Sequence, residues 1–188
     1  MGGDSLMTQA FRPFIIDVEA SGFGPLSYPI EIGVAAESGR RYSTLIKPVD
    51  EWTYWDKEAE KVHGITRDIL TRHGKPIKEV AAKLNDLLDK RSVFSDGWVV
   101  DKPWITRLFA AARLPQFFTV SAIETILSEA QMAIWHETKN EFTQKNHLER
   151  HRASIDAYII QETYIRTRVM TTGATPDLRM QEKLFFYY

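Results

Sequence analysis

Two acids interrupt an otherwise apolar run near the start of the chain, Phe14-Ile15-Ile16-Asp17-Val18-Glu19. Two residues apart on an extended strand, Asp17 and Glu19 leave the same face. Carboxylates on such a face are costly to bury unless a cation compensates. Hard divalent cations take oxygen ligands, so Mg²⁺ or Mn²⁺ is the natural partner. The alternative is a pair of solvated acids at a strand end. A third acid, Asp156, lies among Ile and Tyr residues in the last amphipathic segment, with His151 five residues ahead of it. Five residues turn a regular helix by ~140°. His151 therefore belongs to the lead-in or first turn, not to the helix face of Asp156. A neutral imidazole beside metal-bound carboxylates accepts a proton from water near neutral pH. Otherwise His151 is a solvated residue between Arg150 and Arg152.

The elements that must position these groups follow from periodicity. Residues 14–19, 29–36 and 41–47 are strand-like and joined by short turn-rich links, which predicts an antiparallel meander. Ile77, Val80, Ala81, Leu84, Leu87 and Leu88 fall at helical spacing. A short buried strand is expected at 93–96, a helix over 103–113, a strand at 117–120 and a helix over 121–138. The polar stretch 139–150 is expected to be irregular, and a long amphipathic helix to run from about 155 to 169. This pattern predicts an α/β fold: a mixed five-stranded sheet, first a meander and then alternating helix and strand, flanked by helices. The organisation expected is a flexible lead-in at 1–10, one domain over 11–170 and a tail at 171–188.

Composition narrows the chemistry. The chain has 188 residues, no cysteine, and 24 Lys+Arg against 25 Asp+Glu. It therefore holds no disulfide framework, thiol nucleophile or cysteine-ligated metal. The near-neutral balance argues against a protein that coats long nucleic acid through many phosphate contacts. Neither a Walker nor a dinucleotide fingerprint is present, which argues against an NTPase or dehydrogenase. No apolar run approaches the ~18 residues of a membrane span. The N-terminus MGGDSLM has neither a basic region nor an apolar core. A cytoplasmic location is the expectation.

Four segments in order carry a family resemblance. Asp17-Val-Glu19 resembles the first motif of the DEDDh 3′–5′ exonucleases, the group of RNase T, oligoribonuclease and the polymerase proofreading exonucleases. His63-Gly64-Ile65-Thr66 resembles their HGIT segment. Ser95-Asp96-Gly-Trp-Val-Val-Asp101 stands where their second motif stands, and His151-Arg-Ala-Ser-Ile-Asp156 resembles the third. The resemblance spans about residues 14–169 and implies an RNase H-like fold. Ala20-Ser21 stands where many relatives have two Thr, and Asp96 where oligoribonuclease-like members have Asn. The second-motif carboxylate is thus Asp101, with Asp96 as the fallback, and Asp101 could instead cap a helix ahead of Pro103.

The resemblance implies two divalent ions, Mg²⁺ or Mn²⁺, held by Asp17, Glu19, Asp101 and Asp156, with His151 as general base. It implies hydrolysis of terminal phosphodiesters of RNA or DNA, acting on single-stranded or short 3′ ends. The loop Ala20-Ser21-Gly22-Phe23 and His63 would meet the terminal nucleotide. Phe23 either stacks on a base or packs locally. Gly64 serves as a turn and Thr66 as the cap of a short helix, roles compatible with a contact from His63. Of the five tryptophans only Trp98, inside the second motif region, is a candidate for substrate contact. Arg67, Arg72, Lys75 and Lys78 form a modest basic face. The apolar end Leu184–Tyr188 could fold back or dock on a second copy, so a homodimer is possible. Two other readings stand beside this one. A catalytically silent RNase H-like module would have lost metal carboxylates. A phosphatase built on Asp-x-Glu would leave His151, Asp156 and the HGIT segment unexplained.

Overall fold

The computed structural model describes residues 11–148 and 150–173. The lead-in expected at 1–10 and the apolar end of the tail lie outside the described residues. Five strands form one sheet: β1 (Phe14–Ala20), β2 (Pro29–Ala35), β3 (Arg41–Leu45), β4 (Ser92–Ser95) and β5 (Thr119–Ala122). Their order is β3-β2-β1-β4-β5. β1 pairs with β2, and β2 with β3, antiparallel; β1 with β4, and β4 with β5, run parallel. The expected meander followed by alternation is present.

Among the described residues six α-helices accompany the sheet: α1 (Lys57–His63), α2 (Arg67–His73), α3 (Ile77–Leu88), α4 (Trp98–Ala112), α5 (Glu129–Lys145) and α6 (Ala153–Thr172). Strand alternation divides the core in two. Phe14, Ile16, Val18 and Ala20 of β1 join the cluster built with α3 and α4. Ile15 joins the opposite cluster, formed with Ala157, Ile160 and Tyr164 of α6 and Trp135 of α5. Asp17 and Glu19 have the parity of Ile15, so they emerge on the α6 side. Burying about 1.5–3 kcal/mol per large apolar side chain on both faces of β1 holds that parity against a register slip.

Several boundaries differ from expectation, each for a local reason. α4 starts at Trp98, ahead of Pro103, so Asp101 sits inside its first turn. The segment expected as one helix over 121–138 begins as the end of β5 and a 3₁₀ turn, Ile123–Ile126. α5 starts after Ser128, where a capping box with Gln131 satisfies the first amides. It then runs to Lys145, through residues expected to be irregular. The polar sequence stays helical there because one face docks on α6: Phe142 packs edge-on against Tyr158, and the Arg166 guanidinium lies over the Phe142 ring. α1 was not visible in the apolar pattern; its cap is Asp56, which accepts from the Glu58 amide. The short helix expected after Thr66 is present, capped by the Thr66 hydroxyl. Gly64 ends α1 at φ 69°, a left-handed turn that costs glycine little. No helix among the described residues is long and apolar enough to cross a membrane.

Candidate active site

The site forms where β1, α4 and α6 meet. Gly33 of β2 is opposite Asp17 in the antiparallel register. A Cβ there would lie 2.1 Å from the Ala153 carbonyl carbon and 2.2 Å from the Ser154 nitrogen. The missing side chain lets the first turn of α6 rest directly on the sheet beside Asp17, which carries Asp156 to the β1 acids. β1 and β4 pair only through Phe14–Val93 and Ile15–Phe94. Beyond that point, the first turn of α4 places Asp101 against β1, where the Val18 amide donates to its carboxylate.

The acids repel one another, and the repulsion identifies the cluster. Asp17 has its carboxyl raised well above the usual carboxylate range, first by burial and then by the charges of Asp101, Asp156, Glu19 and Asp96. Asp101 acts on it more strongly than Asp96. Burial pushes Asp101 up to about 7, opposed by the Ser95 hydroxyl, which donates to its carboxylate, and reinforced by Asp96 and Glu19. Glu19 is likewise raised to about 7, by burial, Asp156 and Glu31, with Arg152 and Arg150 pulling the other way. Asp96 sits at the margin, in an ion pair with Lys139 of α5.

His151 precedes α6 at φ 68°, a left-handed conformation unusual for a side-chain-bearing residue. Its amide donates to Asp156 Oδ2 at 2.6 Å, and Arg150 Nε meets Oδ1 at 3.2 Å. One ligand atom each from Glu19, His151 and Asp156 lies within 4.8 Å of the others. Oxygen donors plus one imidazole, too close together for comfort as free anions, suit a hard divalent cation. This group of Glu19, His151 and Asp156 fits a divalent cation.

Glu31 was not singled out by sequence reasoning. It is buried on β2 beside Glu19 and takes Arg152 Nε at 3.1 Å and NH2 at 2.9 Å, with the Ala153 amide at 3.1 Å and the Ser43 hydroxyl at 3.0 Å. This bidentate pair fastens the start of α6 to the sheet. The available signal was an acid in the middle of the apolar run Pro29-Ile30-Glu31-Ile32.

The loop after β1 is divided in its roles. Ala20, Ser21 and Gly22 are buried. Ser21 donates its amide to Tyr28, accepts from the Tyr28 amide at its hydroxyl, and accepts from the Asp56 amide at its carbonyl. These three residues shape the loop, while Phe23 is 71% exposed and tilts over Trp104 at 6.3 Å. His63 is buried; its Nδ1 accepts from the Ile65 amide, so Nε2 carries the proton, and Nε2 has no partner among the described residues. Burial lowers its pKa, with His151 adding to the effect against Glu60 and Glu31. Trp98 is half-buried, its indole N–H donating to the Val120 carbonyl. Trp52, Trp104 and Trp135 belong to the cores, as expected for most of the tryptophans.

No protein-family profile and no curated sequence matches the chain. Solved structures do. E. coli exonuclease I in complex with a dA16 oligonucleotide superposes with a TM-score of 0.64 at 15% identity, over 86% of this chain and 41% of that one. Exonuclease I from the moderately thermophilic Methylocaldum szegediense gives 0.66 at 13% identity, over 87% and 41%. The fold is RNase H-like. This chain spans less than half the length of the exonuclease I chains it matches.

Proposed function

We propose that this chain is a metal-dependent 3′–5′ exonuclease that releases nucleoside 5′-monophosphates from single-stranded or short RNA or DNA ends. The observation that carries the reading is the grouping of Glu19, His151 and Asp156, whose ligand atoms lie within 4.8 Å of one another, with Asp17 buried where it feels the charges of Asp101, Asp156 and Glu19. The resemblance of the four motifs to DEDDh exonucleases and the shared fold with exonuclease I, which has been crystallised with an oligonucleotide, support the substrate class. Asp17, Glu19, Asp101 and Asp156 would hold divalent ions, Mg²⁺ or Mn²⁺, two of them on the pattern that the resemblance implies. Such ions supply a lowered water pKa and stabilise charge on the attacking and leaving oxygens.

The chain's own residues do the rest. His151 takes the proton from the attacking water, whose oxygen bonds to the terminal phosphorus. The bond from that phosphorus to O3′ of the preceding nucleotide breaks, O3′ keeps the electron pair and takes a proton from solvent to become the new 3′-hydroxyl, and the terminal nucleotide leaves with its 5′-phosphate. Phe23 offers an exposed ring for stacking on the terminal base, and His63, whose buried Nε2–H has no partner among the described residues, is assigned to the wall behind that nucleotide. Arg150 and Arg152 hold the acids in place by offsetting part of their repulsion.

End-labelled RNA and DNA oligonucleotides with Mg²⁺, Mn²⁺ or EDTA test the reading. Stepwise mononucleotide release from the 3′ end, dependent on metal and abolished in a folded Asp17→Ala variant, is the expected result. Retained release in that variant would overturn the assignment.

A further inference from the structure

A fifth carboxylate, Asp96, stands next to the four acids. It follows β4 directly, on the turn into α4, and both of its chain neighbours are bonded to Asp101. The Ser95 hydroxyl donates to the Asp101 carboxylate and accepts from the Gly97 amide at 2.9 Å. The Asp101 amide donates to the Gly97 carbonyl at 3.0 Å. The backbone of Asp96 is thereby held beside Asp101. What freedom remains is rotation of a short side chain among three staggered positions.

Lys139 takes up that freedom. Its ammonium pairs with Asp96 Oδ2, and the two side chains are 16% and 23% exposed. The helix that carries Lys139 is fastened on each side of it. Trp135, one turn earlier, is buried in the core with Ile15 and Phe94. The Thr143 hydroxyl, one turn later, donates to the Lys139 carbonyl at 2.8 Å. An ammonium so enclosed requires a counter-charge, and Asp96 supplies it.

The charge of Asp96 still reaches the other acids. On Asp17 it acts after burial, Asp101, Asp156 and Glu19. On Asp101, after burial and the Ser95 hydrogen bond, it is the largest influence, ahead of Glu19. Asp17, Glu19, Asp101 and Asp156 together match the charge of two divalent ions. A free fifth carboxylate beside Asp101 is a competing oxygen ligand for the same ions. Glu31, the further acid beside Glu19, is occupied in the same manner by Arg152.

We propose that Lys139 is a positioning residue that holds the Asp96 carboxylate away from the metal-binding acids, so that four carboxylates take part and not five. The proposal rests on the metal-dependent reading of the site. It adds a residue from α5 that touches neither ion nor substrate.

Metal-stripped wild type, Lys139→Gln, Asp96→Asn and the double variant are titrated with Mn²⁺, free Mn²⁺ being read by its paramagnetic resonance signal. Mononucleotide release from an end-labelled octamer is measured alongside. With its partner gone, Asp96 adds a charge to the cluster, so Lys139→Gln should bind Mn²⁺ about fivefold or more tightly. The same variant should lose about tenfold or more in kcat through misplaced ligands. Asp96→Asn and the double variant should stay within about twofold of wild type in both, the second change rescuing the first. If Lys139→Gln does not fold, the double variant still decides, because it has no carboxylate to misplace and must bind Mn²⁺ as wild type does. Equal damage in the two single variants without rescue would make the pair a structural tie and overturn the proposal. So would Mn²⁺ affinity that ignores Lys139, or its loss in Asp96→Asn, which would make Asp96 a ligand. A wild type that binds no Mn²⁺ would overturn the metal reading and this proposal with it. The expected Mn²⁺ pattern without nucleotide release from any strand would sink the exonuclease reading and keep the role of Lys139.

Discussion

Replacing Glu19 by Gln removes one charge from the acid cluster and keeps the side chain's shape. The Glu19 carboxyl, ordinarily near 4.5, is raised to about 7 in the folded chain by burial, Asp156 and Glu31. Between those values the folded state binds more protons than the unfolded state. The ionisation penalty is therefore absent below about pH 4.5, grows as the pH rises, and is complete above about pH 7. At ~1.4 kcal/mol per unit, the full shift bounds the penalty at ~3 kcal/mol. Glu19 keeps some solvent contact, which brings the expectation to ~1–2 kcal/mol. In EDTA at about pH 8, Glu19→Gln should thus be more stable than wild type, by ~2–8 °C in Tm for a chain of this size. The gain should shrink near pH 4.5. Added Mn²⁺ should reverse the order, because wild type gains binding energy that the variant has lost. Thermal melts at both pH values, with and without metal, measure all four quantities. A variant less stable than wild type in EDTA at the higher pH, or a gain that ignores pH, would refute the picture of acids held together against their repulsion.

Other perturbations follow from the same geometry. Gly33→Ala should destabilise by about 3 kcal/mol or more, since its Cβ would meet the α6 backbone at 2.1 Å, and nucleotide release should be lost; chemical denaturation and the oligonucleotide assay read both. Arg152→Ala strands buried Glu31, although half of the Arg152 side chain is in water; a loss of ~1–3 kcal/mol and a lowered kcat are expected, and wild-type stability would refute the anchoring role. His151→Gln should cut kcat by about 10²–10⁴ with KM little changed, as measured by single-turnover nucleotide release. Phe23→Ala, at an exposed site, should raise KM for short oligonucleotides by about fivefold or more with stability unaltered.

The strands and the first pair of acids were legible because their signals are local. Alternation along Phe14–Glu19 places both carboxylates on one side, and the five-position offset from His151 to Asp156 is enough to put the His ahead of the helix. Asp101 is a subtler case. Its spacing named it, but its burial against the Val18 amide, and the diversion of Asp96 to Lys139, depend on where α4 and α5 pack. Residues 139–145 are polar except for Phe142 and show no helical apolar pattern, and docking of Phe142 on α6 keeps them helical. Glu31 gave a faint signal, an acid inside an apolar strand, whose partner Arg152 is 121 residues away.

The sequence by itself determined which residues could do oxygen-ligand chemistry and on which face of β1 two of them stand, since a period of two is a property of the extended chain. It also fixed the order of elements that yields an RNase H-like sheet. Only the tertiary structure decided that the acids meet. The bare Gly33 lets α6 settle on the sheet, the Glu31–Arg152 pair holds its first turn there, and the divergence of β1 from β4 admits Asp101.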